Sequence, residues 1–172
     1  TTARLPAGRA YTVALKTDGT LWAWGSNVFG QLDDGTTIDR SSPVQIGSGY
    51  RAIAAGNWHG VALKTDGTLW TWGNNGWGQL GDGTNTEQLS PVQIGSGFAA
   101  IAAEFNHSLA IKTDGTLWAW GLNDFGQLGS GLYESSSIPQ LVINDTVTGI
   151  LDLDPAVPNH IPPEAIPPLL AS

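Results

Sequence analysis

The chain has 172 residues and a formal net charge of −8, with 23 Gly, 8 Trp, no Cys and no Met. The missing cysteine excludes a disulfide framework, a thiolate metal site and a cysteine nucleophile. The 7 Lys and Arg are scattered among 15 acids, so no basic cluster stands ready for a phosphate backbone, and no apolar run is long enough for a membrane-spanning helix.

Abundant Gly and Trp with few charges suits short strands joined by tight turns, not long helices. In chain order, KTDGTLWAWG runs Lys16–Gly25, KTDGTLWTWG runs Lys64–Gly73 and KTDGTLWAWG returns at Lys112–Gly121. The same 48-residue offset links Gly30-Gln31-Leu32 to Gly78-Gln79-Leu80 and Gly126-Gln127-Leu128, and Pro43 to Pro91 and Pro139. Each unit reads as four strands. In the middle unit the first lies near Arg51–Ala55 and the second near Gly60–Lys64. Asp66-Gly67 then suits a two-residue hairpin with positive φ at both positions. The third strand is Thr68–Trp72, and after a long Gly-rich loop the fourth lies near Pro91–Ile94.

The third strand, TLWTW, is apolar on both faces. An open two-layer sandwich would alternate apolar and polar residues. Stacked propeller blades cover each small sheet on both sides, and a period near 48 with four strands fits a blade. The run DGTLWxWGxNxxGQLG, followed by a Pro-Val strand and IAAGxxH, resembles the regulator-of-chromosome-condensation repeat over about residues 3–143. Asp33 departs from the pattern where Gly81 and Gly129 stand, Tyr11 where His59 and His107 stand, and Glu104 where Gly8 and Gly56 stand. The resemblance implies a seven-bladed propeller that works through protein surfaces. Relatives act as exchange factors for a small GTPase, as chromatin binders and, in bacteria, as a β-lactamase inhibitor; no residue here can be matched to the exchange activity.

The expected fold is therefore all-β: three four-stranded antiparallel blades (about residues 3–48, 51–96 and 99–143), an incomplete ring, with an extended Pro-rich tail over 144–172. Three blades cannot close a ring, so the end faces await sequence beyond this chain, further copies, or a covering segment. The start at Thr1 favours the first of these. The tail carries six of the ten prolines and many aliphatic residues, which reads either as a linker to a further domain or as a docking arm, the aliphatic residues favouring the arm.

No catalytic residue, cofactor or metal site is expected. Asp18, Asp66 and Asp114 suit turns. The Asp-Gly-Thr triplets at Asp34 and Asp82 lack the further oxygens of a calcium loop. His59 and His107 occupy repeating slots and are expected to be buried and hydrogen-bonded. Trp24, Trp72 and Trp120 are expected to be mostly buried by blade packing, and Phe29, Trp77 and Phe125 to be core or loop anchors. Positions that differ between units point to binding instead. The loops between strands one and two and between strands three and four emerge at one end of the blades, which marks Arg9, Arg40, Trp58, Glu87, Phe105 and Tyr133 as candidate binding residues. The expected function is a non-catalytic protein-binding propeller of a bacterial surface or secreted protein, hence extracellular or on the cell surface. The expected partner is a protein or further copies of the chain. Two alternatives are a self-assembling structural subunit and a sugar-binding propeller using Trp58 and Tyr133.

Overall fold

The computed structural model describes residues 6–143; the expected docking arm lies outside them. The described chain forms only strands, turns and loops. In order these are β1 (Tyr11–Leu15), β2 (Leu21–Gly25), β3 (Arg40–Gly47), β4 (Tyr50–Ala55), β5 (His59–Lys64), β6 (Leu69–Gly73), β7 (Gln88–Gly95), β8 (Phe98–Glu104), β9 (His107–Lys112), β10 (Leu117–Gly121) and β11 (Ser136–Ile143). They make three antiparallel meanders: β1-β2-β3, β4-β5-β6-β7 and β8-β9-β10-β11. In the first sheet an isolated bridge between Ala7 and Thr12 marks where a fourth strand would pair. The rest of that segment falls outside the described residues. These sheets are blades 1, 2 and 3, all-β as the 48-residue period requires.

The hairpins differ in detail from the sequence expectation. Gly19, Gly67 and Gly115 have φ of 79°, 81° and 86°, but Asp18, Asp66 and Asp114 do not share the left-handed region. The Gly19 N–H bonds to the Lys16 carbonyl and the Lys16 N–H to the Thr20 carbonyl. That is the three-residue loop closed by one left-handed residue, not a two-residue turn. Asp is needed for another reason: its carboxylate accepts both the N–H and the hydroxyl of the Thr two residues on (2.9 and 2.6 Å at Asp66–Thr68). Those bonds hold the Asp18, Asp66 and Asp114 carboxyls below the usual range. The Thr hydroxyl then accepts from the next Trp indole (2.8 Å for Trp70 to Thr68). Lys16, Lys64 and Lys112 lie over the rings of Trp22, Trp70 and Trp118 at 4.1, 4.1 and 4.4 Å, so their aliphatic stems shield the indoles at the blade's outer turn.

Blade packing makes the core. Val13, Leu15, Leu21 and Ala23 of blade 1 bury against Tyr50, Ile53, Ala62 and Trp72 of blade 2. Val61, Leu63 and Leu69 of blade 2 bury against Phe98, Ala110 and Trp120 of blade 3. Trp72 and Trp120 are wholly buried. Each reaches into the preceding blade and donates its indole N–H to a backbone carbonyl there, Trp72 to Gln31 and Trp120 to Gln79, both at 2.9 Å. Trp24, expected to be mostly buried as well, is partly exposed where they are wholly enclosed. Its sequence context matches theirs, but no described blade precedes it.

A second set of links runs forward. The Tyr11 hydroxyl of blade 1 donates to the Gly56 and His59 carbonyls of blade 2. His59 Nε2 meets the Ser108 hydroxyl at 2.9 Å, and that hydroxyl donates to the Gln79 carbonyl at 2.9 Å. The Ser proton is thereby committed, so His59 carries its own proton on Nε2. Its Nδ1 is buried without a partner. Burial, then His107, pushes the His59 pKa down to about 3, so the ring is neutral at ordinary pH. A sealed, neutral His with a Ser facing a carbonyl is a packing pair. The ring rests on Gly56, where a Cβ would lie 2.1 Å from it. Blade 3 has Glu104 at that position and no described blade after it, and His107, expected to be buried, is half-buried.

Asp33 is the odd residue in this interface. It stands where the other blades carry Gly81 and Gly129, with φ of 61°, which costs a non-glycine residue strain. It is 7% exposed, and its Oδ2 has no partner. Burial, reinforced by Asp34, raises its pKa to about 8.

Truncating Trp72 to Ala is expected to cost about 3–5 kcal/mol, and the same change at half-buried Trp24 less than half as much. Urea midpoints check this; equal losses would contradict the packing account. Asp33→Gly is expected to stabilise. An unfolded Asp ionises near pH 4 while the folded one holds its proton to about pH 8, so the wild type loses stability as pH rises through that window. The advantage of the variant is expected to widen by a few kcal/mol (on the order of 2–4) from pH 5 to pH 8. Stability curves that stay parallel over that range would contradict it.

Candidate functional site

The loops that vary between units gather at one end, and buried asparagines hold them there. Asn27, Asn75 and Asn123 are wholly buried in equivalent positions after β2, β6 and β10. The Asn75 amide donates to the Asp82 carboxylate and to the Thr84 and Thr86 carbonyls at 3.0 Å each, while its oxygen accepts the Leu80 N–H at 3.0 Å. Asn27 bonds in the same way to Asp34, Thr36, Ile38 and Leu32. In blade 3, where Ser130 replaces the Asp, Asn123 keeps the carbonyls of Leu132 and Glu134. One side chain thus fixes each long loop. The asparagines stand within the recurring motif, and their strict 48-residue recurrence beside variable loop residues is the sequence signal for this role.

The shorter loops form a backbone ladder across the blades. The Arg9 N–H donates to the Asn57 carbonyl at 3.2 Å, and the Asn57 N–H to the Phe105 carbonyl at 2.9 Å. The Asn74 and Leu122 N–H groups bond to the Trp58 and Asn106 carbonyls, tying the long loops to the short ones. Each long loop also leans on the blade before it: Leu89 packs on Gly30, and the Gly83 N–H reaches the Ser137 carbonyl. The expectation that both loop sets share one end therefore holds, and the result is a continuous rim.

The six candidates are placed differently on this rim. Arg9 and Glu87 are exposed. Arg40 is partly shielded and ion-paired to Asp34 at 2.6 Å, which makes it a brace for its own loop. Partial burial works against the charged form of Asp34, but bonds from Thr36, Arg40 and Asn27 outweigh it and keep the carboxyl below its usual range. Trp58 is half-buried and receives Phe29 edge-on, with centroids 5.6 Å apart. Tyr133 is 71% exposed and Phe105 53%. Phe105 also has φ of 44°, a strained conformation for a bulky residue. The expected anchors divide. Phe29 packs on Trp58, whereas Trp77 and Phe125 are exposed, Phe125 at 87%. They share a slot in sequence, but that slot faces outward, and only blade 1 has a Trp on the next blade to cover it.

The rim is also acidic. Asp34, Asp39, Asp82 and Glu87 lie on it in the first two blades, and Glu104, Asp124 and Glu134 in the third, against Arg9 and Arg40. The opposite end carries Lys16, Arg51, Lys64 and Lys112 among its three turn aspartates. There Arg51 spans blades 2 and 3, donating to the Phe98 and Ala99 carbonyls at 2.7 and 3.1 Å. Exposed aromatic groups and unbalanced carboxylates thus concentrate on one end, and the invariant Asp-Gly turns on the other. Among the described residues, no group of three His, Cys, Asp or Glu could hold a metal ion.

Comparison with known proteins agrees with this geometry. The regulator of chromosome condensation (RCC1) repeat model matches residues 18–63, 66–111 and 114–152, and a second RCC1 repeat model matches 98–127. The first two matches begin at an Asp-Gly turn and run into the next blade, so the sequence repeat bridges two blades. Over 43 residues the chain is 44% identical to the ultraviolet-B receptor UVR8 of Arabidopsis thaliana, spanning 25% of this chain and 10% of the receptor. Yeast RCC1 (Prp20), solved bound to Kap60, superposes with a TM-score of 0.73 at 23% identity, over 82% of this chain and 37% of that one. Human WBSCR16 superposes at 0.69 and 23% identity, over 81% and 39%. A further structure of Prp20p from Saccharomyces cerevisiae, characterised for its binding to Gsp1p and histones, gives 0.70 at 24% identity, over 82% and 38%. The chain spans well under half the length of these propellers. With three consecutive repeat matches lying on three propeller blades, the chain belongs to the RCC1 repeat family.

Proposed function

We propose that this chain is a protein-binding propeller module and that its variable rim receives the partner. The observation that carries the reading is the concentration of exposed aromatic side chains and carboxylates on one end of an otherwise repetitive scaffold. Exposed aromatics are the residues most often found at the energetic centre of protein interfaces. Protein-bound relatives such as yeast RCC1 with Kap60 support the class of function. The charge supports a partner segment rich in Lys or Arg, attracted by the carboxylates and able to stack on Phe105, Phe125 and Tyr133. The sugar-binding alternative has less support, because Trp58 already packs against Phe29. The absence of Cys and the near-identity of the units support a bacterial surface or secreted setting.

The test uses a displayed random-peptide library selected on the purified chain. Selected peptides are expected to be enriched in Lys and Arg, and their binding to weaken as salt rises. Phe105→Ala and Tyr133→Ala are expected to weaken them at least about tenfold, or roughly 1.4 kcal/mol, while Thr68→Ala at the opposite end leaves them unchanged. Peptides that respond to Thr68→Ala and ignore the rim variants would overturn the assignment.

A further inference from the structure

Between the long loops of blades 2 and 3 the rim opens into a cleft of about 280 Å³, lined by Gly76, Trp77, Asn85, Ser135 and Ser137. The slot between blades 1 and 2 carries Val28, Phe29, Thr37, Glu87 and Leu89, each 48 residues earlier. That slot is occupied by packed side chains. Leu89 lies on Gly30, where a Cβ would be 2.5 Å from Leu89 Cδ2, and Phe29 meets Trp58 edge-on. Between blades 2 and 3, Ser137 replaces Leu89, Ser135 replaces Glu87, and Asn106 stands where Trp58 does. Trp77 is left 46% exposed.

Gly76 has no structural reason to be glycine. Its φ is not among the positive ones, and a Cβ there would meet only Asn74 Oδ1, at 3.8 Å. Neither a left-handed backbone nor a close approach excludes a side chain, and blades 1 and 3 carry Val28 and Asp124 at this position. The effect of the glycine is open space beside the Trp77 indole.

The cleft is held by its backbone and is uncharged. Asn75 clamps the Thr84 and Thr86 carbonyls on either side of Asn85, at 3.0 Å each. The Gly83 N–H reaches the Ser137 carbonyl at 2.9 Å. Ser135 Oγ accepts the Asn123 N–H at 3.2 Å and keeps its own proton to donate, and the Asn85 amide and Ser137 hydroxyl have no partner among the described residues. The walls therefore offer an exposed indole, an amide and two hydroxyls, with no ionised group.

That set selects a ligand by its chemistry. A Lys or Arg side chain would find no carboxylate in the cleft to offset its desolvation. A wholly apolar group would leave the amide and both hydroxyls unpaired. A pyranose ring meets both demands, with its C–H face on the indole and its hydroxyls bonded to Asn85, Ser135 and Ser137. The carboxylates of this end, Glu134 beside Ser135 among them, oppose a sugar acid. We propose that this cleft binds a neutral hexopyranose unit of a saccharide, stacked on Trp77. The site uses neither Trp58 nor Tyr133. It goes beyond the rim-binding reading and does not depend on it.

The experiment follows the Nε1 proton signals of the eight tryptophans by NMR on the nitrogen-labelled full chain. Methyl β-glucoside, methyl β-galactoside, N-acetylglucosamine and glucuronate are each added to about 50 mM. At least one of the neutral sugars is expected to shift the Trp77 signal with a dissociation constant on the order of 1–10 mM, independent of salt, and glucuronate to bind at least about tenfold more weakly. Gly76→Val, which restores the blade 1 residue, is expected to weaken binding at least about tenfold with the urea midpoint unchanged. Trp77→Ala, at an exposed side chain, is expected to abolish saturation transfer to the sugar and supplies the same test independently. No Trp77 shift with any neutral sugar, an equal shift at Trp58, or binding that survives Gly76→Val or Trp77→Ala would overturn the proposal. A Trp77 signal that answers only to Lys- and Arg-rich peptides would also overturn it, joining the cleft to the peptide surface instead.

Discussion

The whole structure depends on one contact between neighbouring blades: a tryptophan indole driven into the preceding sheet, its N–H satisfied by a glutamine backbone carbonyl. Trp72 on Gln31 and Trp120 on Gln79 share the same 2.9 Å distance. An indole buried in an apolar layer gains from its large contact area only if the N–H finds an acceptor. The acceptor must therefore sit at a fixed place, and the Gly-Gln-Leu turn supplies it. This couples strand three of one blade to the loop after strand three of the blade before, and that coupling explains why both sequences recur together every 48 residues.

With the scaffold fixed in this way, the loops are free to vary. The buried asparagines close each long loop through its backbone, so most loop side chains are not needed for folding. Function is therefore read from differences: Tyr133 and Phe105 have no aromatic equivalents in the other blades, Glu87 shares its acidic slot with Asp39 alone, and all are exposed. The exposed aromatic groups and most of the unpaired carboxylates gather at this end, while the invariant end uses its lysines to cover Trp22, Trp70 and Trp118. The asymmetry between the ends arises because the rim loops are tied across the blades mainly through backbone groups, which leaves their side chains free.

Much of this was legible in the sequence, for physical reasons that can be named. Strand positions, hairpins and blade count followed from the period and the Asp-Gly pairs, because turn chemistry and both-face burial are local properties. The turn geometry was not legible at Asp18, Asp66 and Asp114, whose carboxylates act on the following Thr instead of adopting positive φ. Burial was legible for the interblade tryptophans, but not that it is complete at Trp72 and partial at Trp24, since burial belongs to the neighbour as much as to the residue. Phe125 shows the same thing at the rim: sharing a slot with Phe29 suggested an anchor, yet no aromatic from a following blade meets it. Asp33 stood out as a departure from Gly, but its strain and suppressed ionisation needed the interface to be seen.

The central claim concerns which indoles are locked. Hydrogen exchange of the tryptophan Nε1 protons, followed by NMR, tests it directly. The Trp72 and Trp120 protons, bonded to buried carbonyls between blades, are predicted to exchange only with global unfolding. Those of Trp22, Trp70 and Trp118, bonded to threonine hydroxyls at the outer hairpins, are predicted to exchange orders of magnitude faster. If all five exchange at similar rates, the interblade tryptophan is not the constraint on which the stack depends.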